Sequence, residues 1–173
     1  VKSKGFPMDI ISLEELAPQT DKKPDSAELV RGVAARFRQL GYGVKRGFDA
    51  YTESQVMPGS GLSSSAAFEV LLGNICNTFY AENQCSTEEI AEIGQFAENV
   101  YFRKPCGLMD QMASSVGGVV AIDFADAAAP QVEPVSFDFS TSGYALCIVD
   151  TGGNHADLTA EYAAIPEEMG AVA

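Results

Sequence analysis

The sequence predicts a fold that mixes α-helices and β-strands, on three observations. Of its 173 residues, 46% are hydrophobic and 20% charged, the balance of a chain that buries a real apolar core. Apolar residues recur at helical spacing in two well-capped stretches before Pro105. Strand-like runs gather after Gly117-Gly118.

Taken in order, Phe6 to Leu13 alternates loosely and reads as a strand, followed by a loop from Ala17 to Pro24. Asp25, with Glu28 three residues on, has the capping-box pattern, and Leu29, Val30, Val33, Ala34, Phe37 and Leu40 carry an amphipathic helix to Gly41. Arg46 to Glu53 sets Phe48, Ala50 and Thr52 on one face, as a half-buried strand does. A Pro/Gly/Ser stretch, 56–65, leads into residues 66–80, apolar nearly all round and so predicted as a helix in the middle of a domain. Ser86 and Glu89 repeat the capping box, and Ile90, Ile93, Phe96, Ala97 and Val100 continue a second amphipathic helix to about Tyr101, before Pro105 enforces a break. Residues 107–116 suit a short helix, the runs 118–124, 132–139 and 144–150 read as strands, and 157–169 is helical in character. The alanine-rich stretch 125–129 marks the expected boundary between two domains, 1–125 and 126–173.

Twenty-four acidic against eleven basic residues give a net charge of −13, which repels phosphate backbones and anionic lipid and argues against nucleic-acid and membrane-surface partners. The imbalance is uneven, since every Lys and Arg lies at or before Lys104 and residues 105–173 carry ten carboxylates. Cys76, Cys85, Cys106 and Cys147 lack metal-ligand spacing and His155 is the single histidine, so the cysteines read as reduced cytosolic thiols. No run of about 18 apolar residues and no signal-peptide pattern occurs, and the expected location is the cytoplasm.

Pro58-Gly-Ser-Gly-Leu-Ser-Ser-Ser-Ala-Ala is the most informative stretch, because two glycines and three serines run into the N-terminus of the apolar helix. Such a loop turns backbone N–H groups inward, the helix end adds about half a positive charge, and the hydroxyls add donors or a metal ligand, so an anion is held without lysine. It is neither a Walker A loop nor Gly-x-Gly-x-x-Gly, and on composition alone a Gly/Ser loop there also serves as a plain cap.

The motif resembles the nucleotide-phosphate motif of the galactokinase, homoserine kinase, mevalonate kinase and phosphomevalonate kinase superfamily (GHMP kinases). Pro105-Cys-Gly-Leu-Met-Asp-Gln and Asp150-Thr-Gly-Gly-Asn-His-Ala-Asp-Leu-Thr-Ala-Glu-Tyr narrow the resemblance to galactokinases, and the three motifs fall in that family's order. The resemblance implies ATP phosphates on Gly59, Gly61, Leu62, Ser63, Ser64 and Ser65, and Mg²⁺ held by Ser65 and Glu98. It implies Asp110 at the sugar's anomeric hydroxyl, as a proton acceptor or as an orienting charge, and Tyr162 against the sugar; Asn154 and His155 are expected to be structural.

It also implies a two-domain α+β architecture: an N-terminal domain with a left-handed β-α-β unit, then the beginning of a ferredoxin-like domain. The implied activity is ATP-dependent phosphorylation of galactose to galactose 1-phosphate; a related sugar kinase or a sugar- and ATP-binding sensor are the alternatives. The family's N-terminal signature and its C-terminal glycine-rich motif are absent, so the chain reads as an internal fragment expected to be inactive alone.

Overall fold

The structure is a computed structural model that describes residues 1–56, 59–126, 128–149 and 159–172. Its N-terminal part is a helical body on a small β-α-β unit. Strand β1 (Lys2–Ser3) pairs in parallel with β2 (Tyr51–Thr52) across helix α1 (Ser26–Gln39). Helices α2 (Ser64–Tyr80), α3 (Thr87–Phe96) and α4 (Met109–Val116) complete the body, with α3 running on into a π-helical turn, Ala97–Phe102. An antiparallel hairpin of β3 (Val119–Asp123) and β4 (Gln131–Val135) follows, paired Val119 to Val135 through Asp123 to Gln131, and then come α5 (Phe139–Ser142) and α6 (Thr159–Val172).

The core lies where α1, α2, α3 and the π-turn meet, around the fully buried Val33, Phe37, Leu72, Ile93 and Ala97. Close helix approach requires small residues there. A Cβ on Gly32 of α1 would stand 2.8 Å from Ala97 Cβ and 2.9 Å from Tyr101 Cγ, and one on Gly73 of α2 would stand 2.8 Å from Ile90 Cγ2. The Tyr101 hydroxyl donates to the Leu16 carbonyl at 2.7 Å, which ties the N-terminal segment to the π-turn.

Several expectations change. Phe6 to Leu13 forms no strand beyond one bridge between Lys2 and Met8; Ile11 and Leu13 pack on the core, but the segment has no ladder partner among the described residues. The run 46–53 shortens to Tyr51–Thr52 for the same reason. Asp25 caps α1 through the Ala27 N–H at 3.1 Å, yet Glu28 does not complete the box; its buried carboxylate pairs with Arg31 and accepts the Gln19 N–H at 3.1 Å. The Ser86–Glu89 box does form, with bonds of 2.7 and 3.2 Å.

Helix α2 is buried on one side only: Leu71 is 42% exposed, and Phe79, 66% exposed, stacks on Phe48 with centroids 5.7 Å apart. The run 132–139 breaks after Val135, because the Asp138 carboxylate accepts the Ser140 N–H at 2.8 Å and starts α5 instead. Residues 144–149 form no strand.

Candidate functional site

The loop before α2 has the backbone the sequence calls for. Gly59, Gly61 and Ser63 all take positive φ, at 73°, 74° and 58°, in alternation with their neighbours. That alternation is how successive N–H groups come to face one concavity, and glycine adopts it without the steric cost an L side chain incurs. Ser63 stands at the N-cap of α2 but its side chain makes no capping hydrogen bond, so the loop is not a plain serine cap. Leu62 is exposed at 42%, while Ser63, Ser64 and Ser65 are half-buried at the helix start. A cavity of about 480 Å³ opens beside them, lined by Ser64, Ser65, Phe68, Leu71, Leu29 and Phe102 among others.

Ser65 leads to the second part of the site. Its hydroxyl donates to Glu98 Oε1 at 2.9 Å, joining the first turn of α2 to the π-turn. Glu98 is buried, with 2% of its surface exposed, so its charge needs compensation from neighbours. Lys104 Nζ donates to the same Oε1 at 3.1 Å, and Gln111 Nε2 donates to Oε2 at 2.9 Å and to Glu69 Oε2 at 3.0 Å. One amide therefore bridges two buried carboxyl groups.

The pair cannot carry two charges cheaply. Burial first, and then the Glu98 carboxylate, push the Glu69 carboxyl up to about 8, against the opposing hydrogen bond from Gln111 and the charge of Lys104. Glu69 Oε1 and Gln111 Oε1 are buried acceptors without a partner, and a proton on Glu69 supplies a donor where both lack one. Burial pulls the Lys104 ammonium down, but Glu98, joined by Cys106 and Glu69, outweighs it and the net shift is upward. Burial, followed by Glu98, pushes the Cys106 thiol above its ordinary range, so it stays protonated beside the carboxylates.

Asp110 lies in the first turn of α4, one residue before Gln111, and is exposed while Gln111 is buried, so one helical turn presents a carboxylate outward and an amide inward. The negative charge of Asp110 reaches Glu69 and adds to its upward shift. Ser65, Glu98 and Asp110 are thus brought to one end of the helical body. Tyr162 falls on α6, but its side chain, like Asn154 and His155, lies outside the described residues.

Ser65 Oγ and Glu98 Oε1 are hard oxygen donors at about the separation of adjacent ligands on a cation with bonds near 2.0–2.1 Å, so the donor set fits Mg²⁺. Among the described residues no group of three or more His, Cys, Asp and Glu is placed to hold a metal. A cation on this pair would need its remaining ligands from phosphate oxygens and water.

Sequence reasoning did not find Glu69, Lys104 and Gln111. Signals existed: Glu69 is the single charge in the apolar stretch 66–80, Lys104 is the last cation in the chain, and Gln111 closes the Gly107-Leu-Met-Asp-Gln unit.

The chain is 36% identical over 155 residues to the galactokinase of Streptomyces coelicolor, covering 88% of this chain and 38% of that one. It is 40% identical over 96 residues to the galactokinase of Clostridium acetobutylicum, covering 56% and 24%. The crystal structure of Lactococcus lactis galactokinase complexed with galactose shares the fold, with a TM-score of 0.64 at 24% identity over 99% of this chain and 45% of that one. The chain thus spans less than half the length of each of these relatives. Among the described residues no helix is long and apolar enough to cross a membrane. Residues 28–118, which hold the loop, Ser65, Glu98 and Asp110, match the model for the GHMP kinases N terminal domain, and the chain belongs to the GHMP kinase family.

Proposed function

We propose that the protein carrying this chain transfers the γ-phosphoryl group of ATP to the anomeric hydroxyl of galactose in the cytoplasm, giving galactose 1-phosphate and ADP. The observation that carries this reading is the hydrogen bond between Ser65 and Glu98 at the end of an N–H-lined loop, with the exposed carboxylate of Asp110 on the adjoining helix. Gly59, Gly61, Leu62, Ser63, Ser64 and Ser65 hold the phosphates, and the 480 Å³ cavity beside Ser64 and Ser65 takes the base and ribose. Ser65 and Glu98 hold Mg²⁺, which neutralises charge on the phosphate oxygens when bound.

Asp110 aligns the sugar hydroxyl and takes up its proton as the new P–O bond forms and the bond to the leaving ADP oxygen breaks. Tyr162 contacts the sugar. Residues 1–125 form the nucleotide-binding domain and 126–173 begin the next. ATP and galactose are the ligands of this reading; its strong negative charge gives the chain no affinity for nucleic acid or for anionic membranes.

The test is ADP release by the complete protein with Mg·ATP and a panel of hexoses, amino sugars and uronic acids. Release is expected with galactose and is expected to fall by about 10² to 10⁴ in Asp110→Ala and Asp110→Asn alike, because Asn keeps the shape but cannot accept the proton. Preference for another sugar would move the substrate, and ATP and galactose binding without ADP release would make the protein a sensor.

A further inference from the structure

The two oxygens of Glu98 are not equivalent. Oε2 is committed to Gln111, whose amide is itself anchored by the buried Glu69, so the carboxylate is fixed in rotation. Oε1 is the oxygen that meets Ser65, at 2.9 Å, and Lys104 Nζ sits on that same atom at 3.1 Å. Among the described residues Lys104 is the single basic side chain paired with Glu98. Its side chain is 35% exposed whereas that of Glu98 is 3% exposed, so the carboxylate is immobile and the ammonium has a way out. The backbone beside it is held independently, because the Arg103 guanidinium donates to the Thr20 and Lys22 carbonyls.

A divalent cation shared by Ser65 and Glu98 needs Oε1. Two cations on one carboxylate oxygen repel each other, and a buried, low-dielectric position amplifies the repulsion. We propose that Lys104 is a tethered counter-cation: it occupies Glu98 Oε1 in the cation-free protein and swings outward when a divalent cation takes the Ser65–Glu98 pair, so that Lys104 sets the cation concentration at which the site loads. The inference rests on the assignment of Ser65 and Glu98 as the cation pair in the function proposed above. Lys104 makes the empty site stable by balancing a buried charge, and it weakens cation binding by the same amount, since the ion pair must break first.

The test is Mn²⁺ uptake by the complete protein without nucleotide or sugar, followed by the electron paramagnetic resonance signal of free Mn²⁺, with the Mn²⁺-induced rise in Tm as a second readout. Lys104→Met is expected to bind Mn²⁺ roughly two- to tenfold more tightly than wild type, the range for removing a half-exposed ion pair, and Lys104→Arg to bind as wild type does. Lys104→Gln, which keeps a hydrogen-bond donor without the charge, is expected to show the same tightening and serves if Lys104→Met does not fold. Unchanged, weaker or absent Mn²⁺ uptake in the folded charge-free variants overturns the proposal. Glu98→Gln separates the two readings: if it loses Mn²⁺ while the Lys104 variants match wild type, the counter-cation fails alone. If Glu98→Gln binds as wild type does, the cation pair itself is misassigned and both fail.

Discussion

At the scale of single residues, the governing fact is that two carboxyl groups and one amide share a space from which water is excluded. Glu69 stays protonated in the folded chain to about pH 8, while in the unfolded chain it ionises near 4.5. The folded state therefore binds the proton more tightly: the stability from this group is fully present below pH 4.5 and is lost as pH rises through about 8. Glu69→Gln keeps the acceptor for Gln111 and removes the titration. Its Tm is expected to fall less than that of wild type between about pH 5 and pH 8, and the difference to grow with pH. Parallel Tm curves would show that Glu69 titrates normally.

At the scale of elements, the site is set by how closely α1 approaches the π-turn. Glu98 lies on that turn, which widens the helix at Ala97 and brings Ala97, Glu98 and Tyr101 all inward. Gly32 permits the contact. In Gly32→Ala the new methyl meets backbone and an aromatic ring below 3.0 Å, neither of which can move aside as a flexible side chain does. The gain in helix propensity, up to about 1 kcal/mol, is outweighed, and net destabilisation of about 1–3 kcal/mol is expected by chemical denaturation. Gly47→Ala, where a Cβ meets nothing within 4 Å, is the control and should stay within about 0.5 kcal/mol of wild type.

At the scale of the whole molecule, burial is concentrated before Gly117. Most described side chains after the β3–β4 hairpin are exposed, including Tyr144 at 78% and Val149 at 78%, while all the large, fully buried side chains belong to the helical body. Limited proteolysis of the 173-residue chain is expected to cut first between residues 124 and 149 and to leave a resistant product that retains the helical body through Val116, read by mass spectrometry. Equal persistence of both parts would show that the later segment packs as firmly as the helices.

The sequence by itself determined the main helices, the Gly/Ser loop before α2 and the family. Each rests on local information: apolar periodicity for α1 and α3, the Ser86–Glu89 box, alternating glycine and serine before α2, and ordered motifs that place Ser65, Glu98 and Asp110. The strands were less legible, because Phe6 to Leu13 and 144–149 have strand-like composition, yet a strand exists only where a partner supplies its hydrogen bonds. Tertiary structure alone decided that Glu28 turns from its cap to Arg31, and that Glu69, Lys104 and Gln111 converge on Glu98. Those contacts join residues from different helices and loops, and their energetics depend on desolvation, which no spacing in the sequence encodes.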